Sequence, residues 1–222
     1  MSMEGRDARQ EGDRKGKKLQ PPSCDHFKTK LLLLTKRARQ IRDTQLKTLM
    51  HLVDKEWLSE SWKKLRKGAA FGIDAISTEM YAGNLEQNLD SLLYRMKQGK
   101  YNAQPVKRIY IPKADGKKRA LGLPTIEDKV AQNAINYILQ AVFEQEFLPI
   151  SYGFREGKSA LKAVEDAKET IATKKVSFVL DVDIASFFDD MEHEWLIKFI
   201  SHRIKDKRLL KYINSWLKAG VM

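Results

Sequence analysis

An α+β fold, rich in helix and carrying one basic β-hairpin, is predicted by three features of the 222-residue sequence. Apolar residues recur at helical spacing over most of the chain, one stretch switches to a period of two around an Asp-Gly turn, and a β-branched run ends in paired aspartates. With 42% of residues hydrophobic and 32% charged, the chain can bury a core and is neither wholly disordered nor a membrane protein. The longest aliphatic run, Leu31 to Leu34, is too short for a bilayer span or the apolar segment of a signal peptide, so no membrane partner and a cytoplasmic location are expected. A lone cysteine, Cys24, excludes an internal disulfide framework, and His26, His51, His193 and His202 are dispersed without zinc-site spacing.

Residues 1–30 mix Gly, Asp, Glu, Arg and Lys with little apolar periodicity and contain Pro21-Pro22, the composition of a flexible basic arm. From Thr35, the spacing of Ile41, Leu46, Leu49, Leu52, Val53, Trp57 and Leu58 predicts one or two amphipathic helices. Gly68, Gly72 and Asp74 break that pattern. A helix follows over Met80 to Gln98, with Leu85, Leu89, Leu92, Leu93 and Met96 on one stripe and Gly99 placed for a C-cap. Val106 to Ile111 alternates as a strand that Pro112 ends, Asp115-Gly116 supplies hairpin turn chemistry, and Arg119 to Leu123 runs back. Ile126 to Phe147 reads as a long, largely buried helix, Pro149, Gly153 and Gly157 mark a loop, and Ala160 to Ala172 reads as a further helix.

Lysine and arginine number 41 against 29 aspartates and glutamates, so 41 − 29 leaves a net charge of +12. Such a surface attracts polyanions, of which nucleic acid is the commonest for a soluble chain. Six of the cations, Lys107, Arg108, Lys113, Lys117, Lys118 and Arg119, fall within the thirteen positions of the hairpin. They serve either as a nucleic-acid contact or as a solvated face that keeps the protein soluble.

Val176 to Ile184 is β-branched and apolar until Asp181 and Asp183 arrive at its end. A strand places residues i and i+2 on one face, so the two carboxylates project together while Leu180, Val182 and Ile184 point the other way. Burying a carboxylate there costs several kcal/mol unless a cation or donors meet it, and Mg2+ takes few carboxylates plus substrate phosphates. Capping the following turn is the alternative role. Ser186-Phe187-Phe188 comes next, then Asp189 three residues before Glu192 in an N-cap arrangement, opening a helix with Leu196, Phe199, Ile200 and Ile204 on one stripe.

At these residues the sequence resembles the reverse transcriptases encoded by group II introns, through several blocks in the family's order over roughly residues 60–222. Gly72-Ile-Asp74-Ala-Ile-Ser77 is similar to the most N-terminal block. Arg108-Ile-Tyr-Ile-Pro-Lys113 through Arg119 to Thr125-Ile-Glu-Asp-Lys129-Val-Ala-Gln132 is similar to the fingers hairpin and following helix. Ser151-Tyr-Gly-Phe-Arg155 with Gly157-Lys-Ser159 is similar to the next block, and Asp183-Ile-Ala-Ser-Phe-Phe188-Asp189 to the first palm motif. The resemblance implies part of a right-hand polymerase: fingers over residues 31–150 after the 1–30 arm, and the start of a palm over 151–222. It implies RNA-directed DNA synthesis by two-metal nucleotidyl transfer, with RNA template, intron RNA, DNA primer and dNTP as partners and Mg2+ as cofactor. Carried over by position, Asp183 is the catalytic, metal-binding carboxylate, assisted by the Ile184 carbonyl. Phe188 is the aromatic gate beneath the incoming sugar, and Lys113 and Arg119 hold the triphosphate. Lys107, Arg108, Lys117 and Arg155 are the candidate RNA contacts, Arg155 either touching template or bracing fingers against palm.

The sequence departs from the family where a second palm motif, Tyr-x-Asp-Asp or near it, should supply further carboxylates. Phe187-Phe188-Asp189-Asp190 resembles it only superficially, because it begins four residues after Asp183 and leads into a helix. The expectation is a truncated N-terminal portion, inactive alone and prone to self-association through exposed apolar surface. Two rival readings stand beside it: a non-catalytic intron-RNA-binding or maturase-like module, and another bacterial reverse transcriptase class such as the retron or diversity-generating types.

Overall fold

A computed structural model describes residues 25–41, 44–66, 68–112, 116–188 and 190–222. Helix α1, His26–Gln40, starts where the Asp25 carboxylate accepts the Lys28 amide at 3.2 Å, and its Phe27, Leu34 and Ala38 recur on one face and are buried. Residues 26–30 of the stretch expected to be arm are therefore helical. Charged residues between the apolar ones conceal a stripe that begins at Phe27 and runs through Leu31 to Leu34.

Beyond a 3-10 turn at Met50–Leu52, α2 spans Lys55–Lys63, capped by Asp54 accepting from the Trp57 amide at 3.0 Å. Trp57 is fully buried; its indole donates to the Ala134 carbonyl at 2.9 Å and its ring meets that of Phe27 at 4.8 Å. The helix expected over Met80 to Gln98 is two helices, α3 at Thr78–Gly83 and α4 at Leu85–Lys97. Gly83-Asn84 interrupts the ladder, since both residues are poor helix formers. Leu89, Leu92 and Met96 line the buried face of α4, and Gly99 follows with φ 69°, the left-handed conformation that ends helices.

Strands β1, Lys107–Pro112, and β2, Lys118–Leu123, form an antiparallel hairpin with Tyr110 opposite Ala120 and Ile111 opposite Arg119. Helix α5, Ile126–Phe143, is the spine of the molecule, packing against α1 and α2 and burying Val130, Ala134, Ile135 and Ile138 among others. It stops four residues short of the expected Phe147. The loop beyond it is bound up by Arg155, whose guanidinium donates to Glu144, to the Leu148 carbonyl at 2.8 Å and to the Ser151 carbonyl at 2.7 Å.

Helix α6, Ala160–Thr173, buries no residue. The expected strand Val176–Ile184 is corrected by the structure: no strand forms there, and Phe178 is 93% exposed. β-propensity alone does not make a strand, because its backbone groups need a partner edge. Among the described residues none pairs with this segment. Helices α7, His193–Arg203, and α8, Lys207–Lys218, pack together, and Ile200, Ile204, Leu209 and Tyr212 join the same core as α1 to α5. The expected boundary at residue 150 therefore does not divide the core. The Asp189 cap expected for α7 lies outside the described residues; Glu192 occupies the N-cap position without a side-chain cap bond. Among the described residues no helix is long and apolar enough to cross a membrane.

Candidate functional site

The hairpin sorts its cations by strand register. Opposed residues of an antiparallel pair share a face, so Arg119 stands with Ile111, Ile109 and Lys107, while Arg108 stands with Tyr110, Ala120 and Lys118 on the other. Gly122 is required at its position: a Cβ there would lie 2.8 Å from the Val106 side chain. The Lys107 ammonium sits 4.6 Å from the centre of the Phe71 ring, which holds the base of β1 against the segment before α3. Arg108 and Arg119 are exposed, and neither side chain has a partner among the described residues. Lys117 is exposed beside the turn. Lys113 lies outside the described residues, so its expected place by the triphosphate stays a sequence expectation.

The hairpin grows from a rigid base. Gly72 passes so close to Pro124-Thr125 that a Cβ would meet the Thr125 nitrogen at 2.6 Å, and the Lys129 ammonium donates to the Ala70 carbonyl at 2.6 Å. Burial pushes the Lys129 ammonium below the usual lysine range, with Asp74 acting in the opposite direction. The block Gly72 to Ser77 and the start of α5 are thus joined through backbone contacts, for which glycine is the sequence signal.

Asp183 is exposed and has no hydrogen-bond or ion-pair partner among the described residues. Ile184 beside it is also exposed, and Ser186 turns the chain with φ 49°. Phe188 is 75% exposed, its ring edge-on to that of Phe187 at 5.3 Å; Phe188 is the more exposed of the two. Among the described residues no group of three His, Cys, Asp or Glu is placed to hold a metal ion. The Asp183 carboxylate and Ile184 carbonyl are oxygen donors of the class Mg2+ takes, but they are too few to define its site. Arg155 is turned inward: its side chain is 9% exposed, is ion-paired with Glu144 at 2.6 Å, and stacks on Phe147. Its bonds brace the loop after α5.

A second basic face, not anticipated from local sequence, lies near the N-terminus of α8. Lys47, Lys205, Lys207 and Arg208 surround one shallow concavity, and Lys198 and His202 line the next, the two sharing Gln45 and Lys205. Residues about 150 positions apart meet here because Leu46 and Ile204 form a parallel bridge. No spacing rule in one dimension exposes such a cluster.

A model of the family described as reverse transcriptase (RNA-dependent DNA polymerase) matches residues 111–222, that is 222 − 111 + 1 = 112 of the 222 residues. Protein YkfC of Escherichia coli (strain K12) is 31% identical over 183 residues, covering 79% of this chain and 48% of its own. The group II intron-encoded protein LtrA of Lactococcus lactis subsp. cremoris is 36% identical over 141 residues, 63% of this chain and 23% of its own. Nuclear intron maturase 4, mitochondrial, of Arabidopsis thaliana is 28% identical over 108 residues, 49% of this chain and 13% of its own. The chain thus spans about half the length of YkfC and less than a quarter of LtrA. By a match that takes in the second half of the hairpin, the spine helix and the Asp183 segment, the chain belongs to the reverse transcriptase (RNA-dependent DNA polymerase) family.

Proposed function

We propose that the chain is the fingers and first palm portion of a group II intron type reverse transcriptase, binding RNA template, intron RNA, DNA primer and dNTP. The observation that carries this reading is the hairpin. Two arginines without a side-chain partner among the described residues, Arg108 and Arg119, stand on a short ribbon whose base is held by Gly72, Phe71 and α5, and the family match takes in Arg119 and the ribbon from Ile111 onward. In nucleotidyl transfer the primer's 3′ oxygen attacks the α-phosphorus and pyrophosphate leaves with the electrons of the broken P–O bond, so cations must surround the phosphate oxygens. Lys113 and Arg119 take that role on one side. Asp183 and the Ile184 carbonyl are the residues that would hold Mg2+, which when bound supplies Lewis-acid charge. Phe188, exposed beside them, would lie against the sugar. Lys107, Arg108 and Lys117 contact the RNA backbone, and Arg155 keeps the loop after α5 in shape.

The donor set around Asp183 is not assembled among the described residues, so the 222-residue chain is expected to bind template-primer and nucleotide without extending the primer. A primer-extension assay with Mg2+ and dNTP, run beside an anisotropy titration of the same duplex, tests this. Arg108→Gln should weaken binding of the duplex about fivefold, the loss of one phosphate contact at roughly 1 kcal/mol. Unchanged binding would remove Arg108 from the interface. Robust templated synthesis abolished by Asp183→Ala would show instead that the chain is catalytically complete. The same missing donor set favours one second reading, a maturase-like RNA-binding module. It requires that Asp183→Asn leave both RNA binding and its Mg2+ dependence unchanged.

A further inference from the structure

Both strands of the hairpin join the helical body beside one buried carboxylate. The linker into β1 passes residues 101–104, where the Tyr101 hydroxyl donates to Asp128 Oδ1 and the Gln104 amide donates to Asp128 Oδ2 at 3.1 Å. The chain leaving β2 reaches Thr125, the N-cap of α5, whose Oγ1 accepts the Asp128 backbone amide at 3.1 Å, so the exit lies in the same helical turn as that carboxylate. On its far side the linker is held by α8: the Trp216 indole donates to the Tyr101 hydroxyl at 2.8 Å, and the Ala103 amide donates to Ser215 Oγ at 3.2 Å. Past α8, the Val106 amide donates to the Gly220 carbonyl at 3.1 Å and the Arg108 amide to the Met222 carbonyl at 2.9 Å. Tyr101 is fully buried, and its ring meets those of Tyr212 at 5.4 Å and Trp216 at 6.2 Å.

This chain of bonds has a direction. Remove the carboxylate and the linker loses the acceptors for one phenol and one backbone amide at the point where β1 leaves the core, while the ring packing remains. An isolated two-stranded ribbon has too little buried surface to fix its own angle, so its orientation is set by its roots. We propose that Asp128 is a positioning residue: together with Tyr101 and Trp216 it latches the roots of the hairpin to α5 and α8 and so sets where Arg119 stands. The nucleotide part of this inference rests on the reading above; the latch itself does not.

Asparagine at position 128 tests it, because its amide nitrogen would face a donor and leave one of the two bonds unmade. Hydrogen exchange of the full chain should show hairpin amides, residues 106–111 and 116–123, exchanging about tenfold faster in Asp128→Asn than in wild type while α2 amides stay within about twofold. Tyr101→Phe, which keeps the ring and removes only the hydroxyl, should shift the same amides in the same direction by less. In parallel, a fluorescent dNTP titrated with Mg2+ should bind about fivefold more weakly to both variants, as expected when the phosphate-binding cations lose their fixed placement. Equal acceleration in hairpin and α2, or none in the hairpin for Tyr101→Phe, would overturn the latch. A wild-type chain that binds no dNTP, with the exchange pattern as stated, would leave the latch standing and refute the nucleotide role.

Discussion

Asp206 shows how much one side chain organises here. Its Oδ2 accepts the amides of Leu49 at 2.6 Å and Met50 at 2.9 Å, and its Oδ1 those of Arg208 at 3.0 Å and Leu209 at 3.2 Å. One carboxylate thus caps α8 and anchors the turn before α2. Burial disfavours its charge, but the four amide donors outweigh that and hold it below the usual carboxylate range. A depressed folded value contributes stability that is complete above the unfolded value and lost as pH falls through the folded one. Asp206→Ala should therefore cost roughly 2–4 kcal/mol near neutrality, by stranding four amide donors, three of them buried. Urea unfolding from about pH 6 down to about pH 2 should show the gap between variant and wild type closing on the acid side, and a gap that stays constant would contradict the assignment. Asp128 acts with opposite sign: burial raises its value above the ordinary range despite the Tyr101 and Gln104 donors, so its contribution declines as pH rises through that raised value. Cap chemistry of this kind is partly legible in sequence, as with Gly99 after the helix that ends near Gln98. That Asp206 also serves residues 157 positions away is not, since no local signal encodes such a meeting.

Among the elements, those that satisfy themselves locally were legible and those that depend on a neighbour were not. The hairpin follows from alternation and from Asp-Gly turn chemistry, with Gly116 at φ 79°, and α5 follows from its apolar residues. The run Val176 to Ile184 carries an equally clear strand pattern and forms none, because pairing is a property of two segments. Its Phe178, Leu180 and Val182 are 93%, 87% and 74% exposed, so the segment that ends at Asp183 leaves its apolar side chains in solvent. Since these residues bury nothing, Phe178→Ser with Leu180→Ser should alter the free energy of unfolding by no more than about 0.5 kcal/mol. The same pair should reduce self-association of the chain in light scattering. A large loss of stability would mean that the segment is packed in solution, and unchanged association would clear it of the contact.

For the molecule as a whole, the net charge of +12 predicts a polyanion partner but not where it lies, and the fold places basic residues at both ends of α8. At the C-terminal end, the backbone of residues 220–222 pairs with that of Val106 and Arg108 at the start of the basic hairpin; at the N-terminal end stand Lys47, Lys205, Lys207 and Arg208. Twelve helical residues separate the ends by about 18 Å, roughly two screening lengths at physiological salt, so the two faces act as separate electrostatic contacts. A partner that spans both must be an extended, rigid polyanion, for which a structured RNA is well suited and a free nucleotide is not. Each neutralised phosphate contact should remove about 0.7–0.9 from the slope of log affinity against log salt. Lys47→Gln, Lys205→Gln and Lys207→Gln combined should therefore lower that slope by about 2–3 for a folded RNA while leaving dNTP binding unchanged. Arg108→Gln with Arg119→Gln should lower the RNA slope by about 0.7–0.9, through Arg108, and also weaken dNTP binding, through Arg119. Anisotropy titrations over a salt series separate these outcomes: a slope that the triple substitution leaves untouched would confine RNA binding to the hairpin, and a fall in dNTP affinity from that substitution would mean that the two faces are coupled through α8.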